Sequence, residues 1–594
     1  MKRFTSIIRA LLILASAAAI FLWPSAATAQ LFGNSSGSDI QKRLDAAADN
    51  PSVLCSSAVI YEPGVIRHLY TSRNFRPAWI DSQGPLPQAD ALLNAIRLAD
   101  REGLKPQEYH LHALTALLSE WRSSRQKLQS FPKDKQIDCE LLLTDALVTY
   151  GSHLLNGRVE PEQIYPDWFA HLKENHLLDI IENALNTGDI DAAIQHIMPQ
   201  DPLYRGLKQT LAAYTNIAKT GGWPMIPPPG NLKKQADHAH YLSLLRQRLL
   251  LTGELSSTEA SSHPVSYGEN IKSAVLRFQK RHALKTDGMI NQATLKEMNI
   301  PVEQRIRQIA LNLERLRWLP ADIGRRHIFV NIADFEMAVL QDDQVVMDMS
   351  IVVGKQKQRT SVFSGKMTHI ELNPYWNIPK TIAAKEILPS VQKDPLYLKN
   401  KKIKVLEYRQ NEEREIDPAT IDWSRINPKK LRYSFRQDLG PGNALGRIKF
   451  LFPNKFDIYL HDTPERHLFH RTQRTFSHGC IRISKPVDLA EYLLKDDPGW
   501  NRKKILSEIG KGKRQVLKLK NPIDVHILYL TAWTDRQGDV QFRKDIYDGD
   551  PILFQALSEN PRLIAPAGVD RLLGKHAMTG RASELSDPGK NLRN

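Results

Sequence analysis

The stretch Ile458-Tyr459-Leu460-His461-Asp462, followed by a polar, basic segment and then by Ser477-His478-Gly479-Cys480-Ile481-Arg482-Ile483, decides how the chain is read. It holds one of only three cysteines, with His461, His467, His470 and His478 around it and Gly479 beside it. A thiol attacks as its thiolate. At a free pKa of about 8.5 only a few per cent is ionised near neutral pH, so a nucleophilic cysteine needs an imidazole nearby. Apolar residues alternate on both sides, Phe456, Ile458 and Leu460, then Ile481 and Ile483, which predicts two short strands joined by a loop of about 15 residues. Strand ends joined in this way bring His461 toward Cys480. Two plainer readings compete. A single cysteine is often a small inert hydrophobe, and the four histidines could hold zinc. The spacing from His461 to His467 to His470 has no helical or hairpin rationale, however, and no carboxylate follows at a useful offset, so neither metal nor cofactor is expected. His478 is the rival base. Two residues from Cys480 in a strand, it would point alongside the sulfur with little freedom to reach it, which favours His461.

Outward from this stretch lie Gly442-Asn443-Ala444-Leu445-Gly446-Arg447-Ile448-Lys449-Phe450 and Asn373-Pro374-Tyr375-Trp376-Asn377-Ile378-Pro379. The three blocks together resemble the L,D-transpeptidases with a YkuD-type catalytic domain: a His, a mid-teens gap, then Ser/Thr-His-Gly-Cys, a hydrophobic residue and usually Asn. Arg482 stands where that pattern has Asn, a feature of the large Gram-negative members that carry a peptidoglycan-binding module. The resemblance implies Cys480 as nucleophile and His461 as its base, the ring held in one tautomer by the Asp462 carbonyl. Backbone N–H groups near Gly479 and Cys480 would form the oxyanion site, with Tyr459, Ser477 and His478 as further oxyanion or orienting groups. Arg482, Trp376 and Asn443 make up the substrate-binding set. Arg482 shares the Cys480 face and either binds a stem-peptide carboxylate through its planar fork or forms a structural ion pair. The implied reaction is acyl transfer on peptidoglycan. Cys480 attacks diaminopimelate of a tetrapeptide stem, D-alanine leaves, and the amine of a second stem resolves the thioester into a 3-3 cross-link. Carbapenems would acylate the same thiol. Partners are then the donor and acceptor stems, with other cell-wall synthesis proteins. Two alternatives stand beside it: a carboxypeptidase or cysteine peptidase on the same stems, in which water resolves the thioester, and a non-catalytic wall-binding scaffold.

A chain of 594 residues is too long for one core. Its ends look different from the rest. Lys2, Arg3 and Arg9 precede an apolar run from Ala10 to Trp23, then Pro24 and Ala27-Thr28-Ala29, which predicts a signal peptide over 1–29 with cleavage after Ala29. That run is shorter than the ~20 residues of a membrane span, so the expected product is periplasmic with no transmembrane span. The formal charge of +16 is strongly basic. For an exported protein the matching polyanion is cell-wall glycan with free stem carboxylates, or an anionic membrane face, rather than nucleic acid. Cys55 and Cys139 lie together in the N-terminal third; a bridge between them would leave Cys480 as the single thiol, and sequence alone does not decide it.

The expected fold class is multidomain α+β. A helical scaffold covers 30–230, with Leu92, Leu93, Ile96 and Ala99, then Leu141 to Leu155 running to Gly157 as C-cap. Arg76-Pro77-Ala78-Trp79-Ile80 strengthens the resemblance there. Trp223 to Gly230 is a proline-rich linker. A three-helix module spans 231–300, and its Phe278-Gln279-Lys280-Arg281-His282 string and Asp287-Gly288 turn resemble a peptidoglycan-binding module; a plain spacer is the alternative. A connecting helix follows at 301–325. From Ile328 the period falls from about 3.6 to 2, and a hairpin opens the mainly β catalytic domain at 326–550. Its charged stretch 382–432 is either a surface loop or a capping insertion, and Leu396, Leu398, Ile403, Val405, Leu406, Ile421 and Trp423 favour packing. Ser484 is the expected N-cap of the helix after the motif. A helical extension at 551–574 and a disordered tail at 575–594 close the chain.

Overall fold

The helix Lys133–Asn156 is buried almost all round from Ile137 to Leu154, so it forms the axis of the N-terminal region instead of one face of it. This computed structural model describes residues 37–47, 55, 58–61, 63–165, 168, 177–228, 235–261, 267–320, 322–409 and 412–558. The expected signal peptide and its cleavage site, the end of the linker at Pro229-Gly230, all but the first turns of the expected extension, and the expected tail lie outside the described residues.

The polar groups of that central helix explain the Arg76–Ile80 block. Glu140, fully buried, accepts the Trp79 N–H at 3.0 Å and the Tyr70 hydroxyl at 2.7 Å, while Trp79 Nε1 donates to Thr144 Oγ1 at 2.8 Å. Burial pushes the Glu140 carboxyl up to about 7. Gly157 ends the helix at φ +85°, and a Cβ there would lie 2.6 Å from Glu314 Oε1, so the C-cap also admits the connecting helix. Cys55 and Cys139 are buried in this core; a disulfide between them is not formed.

The region expected as one scaffold contributes to four cores. Most of its buried apolar residues up to Ile197 share one cluster, but Tyr165 and Trp168 pack with Trp318, Tyr529 and the strands that follow, Ile226 joins the core of the three-helix module, and the helix Pro202–Lys219 packs with the connecting helix Val302–Arg317 and with Leu528 to Phe542. Gly206 makes that approach possible, since a Cβ there would sit 2.0 Å from Thr534 Oγ1. Helical periodicity names the apolar face of Pro202–Lys219 but not the distant segment that covers it.

Three helices, Gln235–Leu251, Glu269–Arg281 and Gln292–Met298, form the small module around Leu245, Val275 and Phe278. The residues that suggested wall recognition are largely consumed internally. The buried Gln279 accepts the Asp287 and Gly288 N–H groups at 3.1 and 2.8 Å and so builds the Asp-Gly turn. Arg281 pairs with Glu254 at 2.6 Å and donates to the Val540 carbonyl at 2.8 Å, which docks the module on the rest of the chain.

Beyond the connecting helix the strands are β1 (Arg326–Asn331), β2 (Glu336–Gln341), β3 (Gln344–Gly354), β4 (Phe363–Leu372), β5 (Trp376–Ile378), β6 (Ile403–Arg409), β7 (Glu412–Ile416), β8 (Ser434–Gln437), β9 (Ile448–Leu451), β10 (Leu460–His461), β11 (Thr475–Ser477), β12 (Ile481–Ile483) and β13 (Gln515–Leu528), followed by a separate two-stranded pair, β14 (Ala532–Thr534) and β15 (Val540–Phe542). Nine of them make one sheet in the order β11-β3-β12-β10-β9-β4-β13-β1-β2; β2 also pairs with β3, so the sheet closes on itself. The predicted opening hairpin is present, with Asp342 and Asp343 at φ +51° and +59° in its turn. The helix behind the motif is Pro486–Leu494, and its N-cap is Lys485, not Ser484, whose N–H is taken by the Ser350 carbonyl.

The insertion is an ordered cap with its own sheet, β5-β8-β6-β7, and its own core of Ile378, Ile382, Val391, Leu398, Ile403, Val405 and Phe435. It is wider than 382–432, because β5 and β8 lie outside that range on either side and pair into its sheet. Leu396 is 59% exposed and takes no part in that core.

Candidate active site

The site is one face of four neighbouring strands. Pairing sets Glu371 of β4 opposite Lys449 of β9, Lys449 opposite His461 of β10, and His461 opposite Arg482 of β12. One residue away, Ile370, Phe450, Leu460 and Ile481 form the parallel row on the other face and are all fully buried. Period-two alternation thus puts apolar side chains into the core and a charged row into a cavity of about 1230 Å³. The predicted strand pair exists, and β10 and β12 run parallel, so the connection over 462–480, longer than expected and containing β11, is a crossover.

His461 is 4% exposed, and its Nδ1 lies 2.5 Å from the Asp462 carbonyl. A carbonyl only accepts, so the ring proton is on Nδ1 and Nε2 is the free base. Asp462 is fixed in turn: Oδ2 accepts the Arg447 N–H at 3.0 Å and Oδ1 the Arg466 guanidinium at 3.2 Å. Gly446, at φ +64°, permits this, because a Cβ there would lie 2.5 Å from Asp462 Cβ. Gly446→Ala is therefore expected to cost about 3 kcal/mol through clash and a left-handed backbone, measured as a lower urea midpoint for the catalytic domain. Asn443 departs from its expected role. It is 1% exposed and lies beneath the cavity wall, with Nδ2 donating to the Pro374 and Asp438 carbonyls at 3.1 and 3.0 Å and Oδ1 accepting the Leu445 N–H at 2.8 Å. It holds the loop that carries Gly446 and does not reach the cavity.

Burial, with the Arg482 and Lys449 charges adding to it, pushes the His461 imidazole down to about 3. Burial likewise takes His153 of the helical region to about 3 and His282 of the small module well below its ordinary value. A histidine lowered on folding binds its proton first in the unfolded chain, so its contribution is intact above the unfolded pKa of 6.5 and is lost as pH falls toward about 3. Between pH 7.5 and 5 His461 and His153 should each remove about 2 kcal/mol, and His282 should act in the same direction. The three lie in different domains, so every urea transition is expected to move to lower midpoint at pH 5.

The residues from Ser477 to Cys480 form a tight bend between β11 and β12, not a continuous strand. Ser477 Oγ donates to the Cys480 carbonyl at 2.5 Å and accepts the Gly479 N–H at 3.1 Å. Gly479, at φ +117°, is the turning point, and its carbonyl accepts from Thr360 Oγ1 at 2.8 Å. The Gly479 N–H expected in the oxyanion site is thus occupied within the bend. The Cys480 N–H has no acceptor among the described residues and is the available backbone donor. The bend also turns His478 away from the sulfur and onto the Glu386 carboxylate of the cap.

Cys480 Sγ points to the Asp457 carbonyl at 3.7 Å. Burial pushes the thiol above its ordinary value, opposed by the Tyr459 N–H and hydroxyl and by Lys449. Cys480, His461, Tyr459, His478, Ser477, Arg482 and Trp376 all line the same cavity. Arg482 pairs with Glu465, whose carboxylate is half-exposed. Sequence reasoning passed over Lys449, Glu371, Arg514 and Glu386, which line it too. Lys449 was within reach: it sits in the quoted Gly442–Phe450 block as the polar alternate between Ile448 and Phe450.

The closed sheet, the cap and this row define a class. Residues 325–503 match the family described as the L,D-transpeptidase catalytic domain, the family that the three sequence blocks resemble. Residues 64–211 match the family described as a scaffold domain, and residues 245–298 the one described as "Putative peptidoglycan binding domain". Among individual proteins, the chain is 35% identical over 257 residues to a Haemophilus influenzae protein named "Putative L,D-transpeptidase". That alignment covers 43% of this chain and 50% of the relative, so the chain spans about half the length of the curated protein it matches.

Proposed function

We propose that the chain is a periplasmic L,D-transpeptidase that forms 3-3 cross-links between peptidoglycan stems through a Cys480 thioester. The observation that carries this reading is the pairing of a neutral His461, with Nε2 free, and the Cys480 thiol on adjacent strand ends, both opening onto one cavity of about 1230 Å³ beneath the cap. As the sulfur attacks the diaminopimelate carbonyl of a donor tetrapeptide, its proton passes to His461 Nε2. The tetrahedral oxyanion is stabilised by the Cys480 N–H and the Tyr459 hydroxyl; one such donor is typically worth about 3 kcal/mol in the transition state. His461 returns the proton to the departing D-alanine amine, leaving a thioester. The side-chain amine of an acceptor diaminopimelate attacks that thioester, its proton returns through His461, and the thiol is restored. The cap excludes the water that would otherwise compete with the amine.

The test is mass spectrometry after incubation of the chain with diaminopimelate-containing disaccharide tetrapeptide. The expected product is a dimer joined diaminopimelate to diaminopimelate, with free D-alanine. Tripeptide without dimer would replace this reading by hydrolysis. The same thiol is expected to gain the mass of a carbapenem when incubated with one.

A further inference from the structure

The charged row contains a cation that the reaction described above leaves unused. Lys449 stands in register between Glu371 and His461, with its ammonium 4.0 Å above the centroid of the Tyr459 ring. Glu371, the acid beside it, is instead in contact with Arg514 at 2.5 Å, and among the described residues no carboxylate is in salt-bridge contact with Lys449. Burial holds this lysine below its ordinary value. An ammonium taken out of water without an anion in contact is costly; the negative groups whose charges favour it are Glu371, which Arg514 already engages, then an ionised Cys480, then Asp457. The Cys480 sulfur is acted on by Tyr459, Lys449 and Asp457, while His461, Arg482 and the pair formed by His478 with Glu386 of the cap line the same cavity. Arg482 is committed to Glu465, and His461 is neutral, its Nδ1 proton given to Asp462. Lys449 is left as the positive charge whose field favours ionisation of Cys480.

We propose that Lys449 is the charge partner of the Cys480 thiolate: its ammonium, set over the Tyr459 ring, supplies the positive charge against which the sulfur loses its proton, and His461 carries a proton only during attack and leaving. Lys449 is on this account a positioning residue acting through Cys480. The inference rests on the reading of Cys480 as nucleophile. A lysine that merely filled space would leave the ionisation of the sulfur unchanged.

The experiment is the rate of alkylation of Cys480 in the full chain by iodoacetamide, followed by mass spectrometry of its peptide from about pH 5 to about pH 10. Lys449→Met is expected to raise the midpoint by about one pH unit and to slow alkylation near neutral pH about ten-fold. Lys449→Gln, which keeps a polar head, should behave like the methionine variant, and Lys449→Arg should stay within about two-fold of the unmodified chain. Thermal unfolding checks each fold, and if the methionine variant does not fold, the Gln and Arg pair decides. An unmoved midpoint in a folded variant without the charge overturns the proposal. Failure of Cys480 to alkylate even in the unmodified chain would sink the nucleophile reading instead, so the two failures are distinct.

Discussion

A chain carrying Cys480→Ala is expected to form no cross-linked dimer and to release no D-alanine, a loss of at least about 10⁴-fold, while still binding disaccharide tetrapeptide within about three-fold. The asymmetry follows from geometry. The substitution removes one atom from a wall shared with Trp376, Lys449, Arg482 and the cap, so most of the binding surface is untouched. What disappears is the only bond-forming atom. The other two cysteines cannot substitute for it, because both are buried in the helical core and burial drives the Cys139 thiol far above its ordinary value. Calorimetric titration of the variant with the tetrapeptide, beside product analysis, checks both halves. Residual dimer formation would mean that the chemistry lies elsewhere, and loss of binding with loss of turnover would mean that the substitution had disturbed the bend and not only the nucleophile.

His461→Ala is expected to lower turnover by about 10²- to 10⁴-fold, the usual range for a positioned general base, with little change in KM. His478→Ala should lower it by less than about ten-fold. The contrast is the informative part, because both histidines line the same cavity as the thiol. His461 holds its proton on Nδ1 through Asp462 and lines the cavity as a neutral ring, whereas His478 is engaged by Glu386 of the cap. Steady-state rates of D-alanine release for the two variants separate the assignments; an equal or larger loss at His478 would transfer the base to that residue. The cavity left by removing a buried imidazole should also lower stability by about 2 kcal/mol, so unfolding midpoints are needed beside the rates.

The two variants touch residues that a reader of the bare chain could single out, and the reason is local. Side chains in a strand alternate with period two, so Leu460 beside His461, and Ile481 and Ile483 around Arg482, announce which residues face the core and which face the cavity without knowledge of any partner. The turn at Gly479 is not legible in this way: period two continues through His478 to Cys480 on paper, and only the structure shows the bend with a positive φ there. Other features follow a different logic. Asn443 looks like a substrate contact in sequence and is a buried loop anchor in space, because a polar side chain inside a conserved-looking block gives no sign of which carbonyls surround it. Gln279 and Arg281 are the same case: they read as a recognition string and fold into a turn and a domain contact.

Chemistry and local geometry were thus set by the chain itself: a thiol, an imidazole, and a strand on either side. Long-range pairing settled the remainder. That β10 and β12 run parallel, that Thr360 and Tyr547 brace the bend at Gly479 and Gly354, that Glu386 of the cap meets His478, and that Lys449 sits between Glu371 and His461 are consequences of strand register between segments up to nearly two hundred residues apart. A one-residue slip in any of these pairings would turn the charged row into the core. No short window of sequence records that register; it is selected only when the whole sheet closes and every apolar row is buried at once.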